Sequence, residues 1–143
     1  MSEVVFYEHV DDDALKFAVI VSKYQGKWVF CKQKQKNTYE VPGGHRENGE
    51  NIEQTARREL YEETGAARFR LVPVCVYGVR DDSGAETYGM LYYAEIQEFF
   101  ALPDFEMESV EYFDGIPGEL TYPDIMPKLI QKVSEAMSLI MPR

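Results

Sequence analysis

The sequence predicts an α/β protein in which helices cover both faces of a mixed β-sheet. The predicted elements follow one another in the order β, β, α, β, β, β, α. Helices that are separated by runs of strands typically pack on opposite faces of one sheet. The length of 143 residues also predicts one domain, residues 1–143, because domains usually comprise about 100 to 200 residues. A chain of this length can bury a core without disulfide bonds.

The first predicted strands form a hairpin. Residues 15–22 are apolar and rich in β-branched side chains, which predicts a largely buried strand. Residues 27–34 predict a second strand, and residues 24–27 contain a glycine that suits the turn between the two. Residues 38–41 are expected to be a short extended stretch, because a proline follows them. Gly43 and Gly44 are expected to form a loop. No strand is predicted before residue 15.

Residues 51–64 give the clearest helical pattern in the chain. Apolar side chains recur at every fourth position, which places them on one face: Ile52, Ala56 and Leu60. Gly65 follows the last helical residue and suits the left-handed position that ends many helices. Either Asn48 or Asn51 can cap the N-terminus, since a short amide side chain accepts a hydrogen bond from the first free backbone amides.

The second half of the chain predicts three further strands and a helix. Residues 69–80 and 87–97 are expected to form a hairpin around a turn that contains Asp81 and Gly84. Residues 110–113 predict a short strand. A C-terminal helix is expected to begin at residues 121–124. Its apolar face consists of Ile125, Leu129, Ile130, Val133, Met137 and Ile140.

Charge and composition exclude several classes of partner. Twenty-five acidic and fifteen basic residues give a net charge of −10, which opposes binding to nucleic acid or to an anionic membrane. A small anionic substrate remains compatible, because a divalent cation can reverse the local sign of the charge. The two cysteines provide no disulfide framework. With no apparent signal peptide in residues 1–13 and no apolar run long enough to span a membrane, a cytoplasmic protein is expected.

Three glutamates share one sector of the predicted helix. At about 100° per residue, Glu62 and Glu63 lie within about 60° of Glu59. Like charges at this spacing destabilise a helix, as do carboxylates near its C-terminus. A divalent cation would convert this repulsion into a ligand set, and oxygen ligands favour Mg²⁺, Mn²⁺ or Ca²⁺ over zinc. The alternative is a solvated acidic face with no ligand.

The residues around these glutamates form a longer pattern. The chain reads Gly44-His-Arg-Glu-Asn-Gly-Glu50, then seven residues, then Arg58-Glu-Leu-Tyr-Glu-Glu-Thr-Gly-Ala66. This stretch resembles the Nudix box, the signature of the Nudix hydrolase family, and matches each of its fixed positions. The resemblance implies a Nudix-type α/β/α sandwich. It also implies hydrolysis of a nucleoside diphosphate linked to another group, X, with Mg²⁺ or Mn²⁺ as cofactor.

The resemblance also implies roles for individual residues. Metal ligands are expected among Glu59, Glu62 and Glu63, and Glu59 or Glu62 can also activate the attacking water. Arg58 is expected to hold the glutamates in position. Glu50 either approaches the metal or favours the helix N-terminus. The main-chain carbonyl of Gly43 can ligate the metal, although a simple tight turn explains this glycine equally well.

A further catalytic base and a substrate pocket are expected outside the box. The family often supplies a base from a loop before the last strand, and Glu106 is preferred there over Glu108 and Glu111 because of its spacing from a later aromatic residue. An acidic loop without a function is the alternative. Three side chains can line a pocket for the base or for X, since aromatic rings stack on nucleobases: Tyr39, Arg80 and Tyr88.

Several functions remain open from the sequence. The small size favours a nucleoside triphosphate, such as an oxidised guanine nucleotide, which would give a monophosphate and pyrophosphate. Dinucleoside polyphosphates and nucleotide sugars are alternative substrates. A Nudix-like domain that senses a nucleotide without hydrolysing it is the main rival, and an acidic structural protein is another. A monomer or a homodimer is expected.

Overall fold

A computed structural model describes residues 2–140 of the chain. Side chains 139 and 140 lie outside this description, and Ile140 of the predicted apolar face is one of them. The helices of the protein are α1 (Ile52–Thr64) and α2 (Met126–Ile140), and a short 3-10 turn spans Asp12–Ala14. The strands are β1 (Glu3–Tyr7), β2 (Leu15–Tyr24), β3 (Lys27–Gln33), β4 (Tyr39–Glu40), β5 (Gly43–His45), β6 (Ala66–Arg80), β7 (Glu86–Phe99) and β8 (Met107–Phe113).

The strands form one mixed sheet. Within the described chain its main path runs β1-β6-β7-β2-β3-β4, and β5 and β8 pair with β2 and β3 respectively. Strands β2 and β7 are parallel, whereas the other pairs are antiparallel. The predicted hairpin turn is present, and both of its central residues, Gln25 and Gly26, have positive φ. The mixed sheet that the sequence predicts is therefore confirmed.

Each face of the sheet packs against one helix. Strand residues alternate between the two layers, so that Tyr92 packs on the α1 side and Tyr93 on the α2 side. The α1 layer contains Ala18, Ile20, Val29, Ala56, Leu60 and Ile96. The α2 layer contains Val21, Phe30, Tyr77, Leu91, Leu129, Ile130 and Val133. This arrangement confirms the predicted α/β/α sandwich. Neither helix of residues 2–140 has the length and apolar character needed to cross a membrane.

Three local expectations were wrong. Strand β1 was not predicted, and it is held by antiparallel pairing of Glu3 to Tyr7 with the distant β6. Gly43 and Gly44 belong to a short strand rather than a loop, because they pair with Val19 and Ala18 of β2. Helix α2 begins at Met126 rather than within residues 121–124. There, the carbonyl of Tyr122 accepts hydrogen bonds from the amides of residues 125 and 126, which closes a turn before the helix.

Helix α1 has well-defined caps at both ends. The side chain of Asn51 accepts a hydrogen bond from the amide of Gln54, whose own side chain accepts one from the amide of Asn51. Asn51 is therefore the N-cap, and the alternative of Asn48 is excluded. Gly65 ends the helix with φ of +81°. These caps fix the length and rotation of the helix that carries the predicted glutamates.

Candidate active site

Strand β5 brings the backbone of two glycines against helix α1. The amide of Gly43 donates a hydrogen bond to Glu63 Oε1 at 2.8 Å. A β-carbon at Gly44 would overlap the carboxylate of Glu59, so a larger residue there would push helix and strand apart. Pairing with β2 fixes both glycines in the sheet. The carboxyl groups of Glu59 and Glu63 are thus enclosed between the helix and the sheet.

Arg58 connects several carboxyl groups at the entrance to this region. Its Nε donates to Glu50 Oε2 at 2.6 Å, and its Nη1 donates to Glu59 Oε1 at 2.5 Å. Nη1 also lies 3.5 Å from Glu62 Oε1, and Nη2 donates to the main-chain oxygen of His45 at 3.0 Å. If Arg58 only formed a surface ion pair with Glu62, it would not contact the three other groups as well. The geometry therefore supports the expectation that Arg58 positions the glutamates.

Glu50 is held almost entirely by protein groups. Its Oε1 accepts hydrogen bonds from Thr55 Oγ1 at 2.9 Å and from the amide of Glu47 at 3.0 Å. The hydrogen bond from the Arg58 guanidinium lowers the pKa of Glu50 to about 2. The hydrogen bonds from Thr55 and Glu47 also lower this pKa, whereas desolvation opposes the shift. Glu50 is therefore ionised at neutral pH and links the loop to α1. Its role as a metal ligand stays a prediction.

Burial disfavours the charged forms of two glutamates on α1. Glu59 and Glu63 are 9% and 8% exposed. Desolvation raises the pKa of Glu63 to about 8, and Glu59, Glu40 and Glu106 add to this effect, while the amide of Gly43 opposes it. Desolvation also raises the pKa of Glu59, against the opposing hydrogen bond from Arg58. A cation bound beside these groups would favour their ionised forms and offset the effect of desolvation.

Glu62 differs from its two neighbours. Its side chain is 30% exposed, and the contact with Arg58 at 3.5 Å is a weak one. The helix turns Glu62 towards solvent, while Glu59 and Glu63 face the sheet. Glu62 is thus the glutamate of this group that is most accessible to a water molecule.

The donor chemistry of the site fits a hard divalent cation. Among the described residues, no three His, Cys, Asp or Glu side chains are arranged to hold a metal ion. Arg58 and the amide of Gly43 donate hydrogen bonds to Glu59 and Glu63 respectively. The nearby donors are nevertheless oxygens, two of them from buried carboxyl groups. Because Gly44 has no β-carbon, the carboxylate of Glu59 can lie directly against the backbone of β5. These features match the ligand preference of Mg²⁺ or Mn²⁺.

A further carboxyl group faces the site from outside helix α1. Glu106, just before β8, lines the same cavity as Glu59, and its charge contributes to the raised pKa of Glu59 and of Glu63. Glu108 instead pairs with Lys32 at 2.5 Å, and Glu111 accepts a hydrogen bond from Tyr39 at 3.1 Å. Of the three candidate bases, Glu106 is the one that faces the predicted glutamates.

Sequence reasoning missed Glu40. This residue is 6% exposed and accepts a hydrogen bond from Gln33 Nε2 at 2.6 Å. Burial raises the pKa of Glu40, and the charge of Glu106 contributes. A carboxylate immediately before Val41 and the two glycines is the only sequence signal for it. Its place beside the site depends on the pairing of β4 with β3.

A cavity of about 520 Å³ connects the carboxylates with an apolar region. Glu40, Glu59 and Glu106 line its acidic part. The apolar part is formed by side chains from β2, β6, α2 and the turn just before α2: Phe17, Val19, Tyr77, Val79, Ile125, Met126 and Leu129. Tyr122 also lines the cavity. Desolvation raises its pKa, and the charges of Glu40, Glu63 and Glu106 add to this effect.

The three predicted substrate-binding residues do not line this cavity. Arg80 pairs with Glu3 at 3.1 Å and Glu86 at 3.4 Å, and Tyr88 donates to Glu86 at 2.6 Å. This cluster includes the ring of Tyr7, which lies 5.7 Å from Tyr88. The hydroxyl of Tyr39 donates to Glu111, as described above. A role for Arg80, Tyr88 and Tyr39 in substrate binding therefore lacks support from the cavity, and it stays a prediction.

Comparisons with known proteins agree with this architecture. A family model of the NUDIX domain matches residues 13–123. YtkD of Bacillus subtilis (strain 168), whose name assigns it provisionally as an 8-oxo-dGTP diphosphatase, is 28% identical over 120 residues, covering 83% of this chain and 75% of that protein. The crystal structure of the Bacillus subtilis pyrophosphohydrolase BsRppH has a TM-score of 0.78 at 24% identity, covering 94% of this chain and 90% of the other.

A second solved structure shows the same fold. A MutT NUDIX hydrolase from Burkholderia pseudomallei has a TM-score of 0.65 at 23% identity, and the match covers 82% of this chain and 95% of that one. The chain belongs to the Nudix family, because the family model covers most of its length. The family is the one that the sequence motif predicts.

Proposed function

We propose that this protein hydrolyses the pyrophosphate linkage of a nucleotide in a reaction that depends on Mg²⁺ or Mn²⁺. One observation carries the proposal: a single cavity joins the carboxyl groups of Glu59 and Glu106 to the apolar side chains of Phe17, Tyr77 and Val79. A nucleotide has the same two-part character, with a charged pyrophosphate and a flat, largely apolar base. The volume of about 520 Å³ suits a ligand of that size.

The acidic part of the cavity requires a cation before it can accept a polyanion. Glu59 and Glu63 would hold the cation in their ionised forms, since both present carboxyl oxygens beside the glycines of β5. When bound, the metal neutralises charge on the pyrophosphate and polarises the reacting phosphorus. Arg58 keeps Glu59 in place through its short hydrogen bond. Positioning and charge stabilisation supply most of the catalysis in phosphoryl chemistry.

Two residues can accept the proton of the attacking water. Glu62 is the accessible glutamate of α1, and only a weak contact with Arg58 restrains it. Glu106 approaches the same carboxylates from the loop before β8. We assign the role of base to Glu62 first, because among the box glutamates its oxygens make the weakest hydrogen bonds to protein groups. Glu106 is the second candidate.

A nucleoside triphosphate is the proposed substrate class. An oxidised guanine nucleotide, cleaved to a monophosphate and pyrophosphate, is the first candidate within that class. The provisional name of YtkD and the pyrophosphohydrolase title of BsRppH support this choice by similarity. Dinucleoside polyphosphates and nucleotide sugars belong in the same substrate panel.

We also propose a cytoplasmic protein that acts as one domain, residues 1–143, and as a monomer or a homodimer. Both cysteines, Cys31 and Cys75, are free, which suits a reducing compartment. The net charge of −10 opposes nucleic acid and anionic membranes as partners. A small nucleotide is therefore the proposed ligand.

The test is a nucleotide panel with Mg²⁺ or Mn²⁺ in which products are identified by mass. The intact protein is expected to release monophosphate and pyrophosphate from at least one triphosphate. Glu62→Gln is expected to lower kcat by a factor of at least about 100, the usual contribution of a general base. Incorporation of ¹⁸O from labelled water into one product identifies the phosphorus that is attacked.

Glu53→Gln is the matched control, because Glu53 lies on the same helix but pairs with Arg57 at the surface. Its activity should equal that of the intact protein. Binding of nucleotides without turnover by the intact protein would favour the sensing domain instead. Absence of both binding and turnover across the panel would refute the proposed function.

A further inference from the structure

We propose that Phe17 is the residue that stacks against the nucleobase of the substrate, and that Gly89 holds its ring in the stacking position. This inference rests on the proposed function, since it assigns the apolar part of the same cavity. Phe17 lies on β2, is half-buried, and lines the cavity that also contains Glu59 and Glu106. An aromatic ring in such a place can stack on any of the nucleobases, because each base has a π-face.

The pairing of β2 with β7 is irregular immediately before Phe17. The register between β2 and β7 shifts between Leu15 and Phe17, so that two steps along β2 correspond to one step from Tyr88 to Gly89. Irregularities of this kind redirect side chains and are frequent beside active sites. In this chain Phe17 lies opposite Gly89 immediately after the shift, and it lines the cavity.

Gly89 provides the space that the ring occupies. A β-carbon at Gly89 would overlap Cδ2 and Cε2 of Phe17. Glycine within a strand forgoes side-chain packing, and it often marks a place where another group approaches the backbone closely. Here the approaching group is the Phe17 ring, which would have to move if residue 89 carried any side chain.

Two further rings restrain Phe17 from the sides. Tyr77 contacts it with centroids 5.5 Å apart and an angle of 61°, and His45 with centroids 6.2 Å apart and an angle of 82°. Both neighbours also line the cavity. His45 belongs to the strand whose glycines contact Glu59 and Glu63, so the ring lies next to the acidic part. A base on Phe17 would leave its phosphates near the carboxylates.

The experiment compares Phe17→Leu, Phe17→Trp and Gly89→Ala in steady-state hydrolysis of the best triphosphate from the panel. Phe17→Leu is expected to raise KM about 5-fold to 150-fold with little change in kcat, because stacking on one ring contributes about 1 to 3 kcal/mol. Phe17→Trp should retain the KM of the intact protein. Gly89→Ala should raise KM in the same direction, since it displaces the ring.

Two controls separate base recognition from loss of folding and from loss of function. Phe6→Leu removes a half-buried ring from the same core without touching this cavity, and its KM should be unchanged. Calorimetric binding of GMP should weaken in Phe17→Leu, whereas binding of ribose 5-phosphate should not. An unchanged KM and GMP affinity in Phe17→Leu would overturn the assignment of Phe17. Inactivity of the intact protein would refute the proposed function instead.

Discussion

At the scale of single residues, burial sets the protonation of several side chains. The α1 layer encloses Tyr92, which is 4% exposed, and desolvation raises its pKa to about 12. The native state therefore favours the neutral phenol, whereas the unfolded chain ionises near its ordinary pKa of about 10. The stability that this difference contributes is present in full below pH 10. It is lost as pH rises from about 10 through 12.

Replacement of Tyr92 by Phe should reduce the alkaline loss of stability. Between pH 8 and pH 11 the free energy of unfolding should fall by about 1 kcal/mol less in Tyr92→Phe than in the intact protein, because about one pKa unit of the shift has been used by pH 11. Urea unfolding at the two pH values measures the difference. Tyr61→Phe, at a position 42% exposed, should behave like the intact protein. Equal losses in Tyr92→Phe and the intact protein would contradict the prediction.

At the scale of elements, α1 depends on its N-terminal cap. Asn51→Ala removes the acceptor for the Gln54 amide, a hydrogen bond of 2.8 Å. Loss of such a cap typically costs about 1 kcal/mol, and we expect thermal unfolding to occur about 3 °C lower. Asn48→Ala is the control, because Asn48 is exposed in the preceding loop and does not cap the helix. If both variants lost equal stability, the cap would not be the cause.

Helix α1 also carries two buried carboxyl groups that lower its stability. Glu59 and Glu63 are buried against the sheet, and desolvation raises the pKa of both. Leucine or alanine at these positions would avoid that cost. The carboxyl groups are therefore placed where a helix selected for stability alone would not place them, which supports a role in binding a cation.

At the scale of the whole molecule, cation binding should be coupled to folding. A ligand that binds only the native state stabilises it by about 2.7 kcal/mol at a concentration 100 times its Kd. Thermal unfolding monitored by circular dichroism should therefore move several degrees higher on adding Mg²⁺ or Mn²⁺. Glu63→Gln should abolish this rise and should unfold at a higher temperature than the intact protein without metal, because it removes a costly buried carboxylate.

Glu53→Gln serves again as control, since its surface pair with Arg57 lies outside the site. It should keep the full stabilisation by metal. A rise of the same size in Glu63→Gln and in the intact protein would show that the cation binds elsewhere. Binding at unrelated acidic surface groups would produce that result.

Much of the fold could be predicted because its signals are local. The helix α1 has a period of four residues, a capping side chain and a terminal glycine within one short stretch, and these lie close together in sequence. Strands β2 and β3 form a hairpin with a turn that contains Gly26, so their pairing is also local. The cluster of Glu59, Glu62 and Glu63 follows from helical spacing alone.

The features that were missed depend on contacts between distant residues. Strand β1 is held by residues 76 to 80, and β5 by residues 17 to 19. Glu40 reaches the site only because β4 pairs with β3. No local pattern reports such pairings.

The sequence by itself determined the class of protein, because the box and the helical period set the identity and spacing of the glutamates. Tertiary structure alone decided which of these groups are buried, which one faces water, and which aromatic ring lines the cavity. The physical reason is that spacing along a helix is fixed by local hydrogen bonds. Burial and neighbours are instead fixed by strand pairing between residues far apart in the chain.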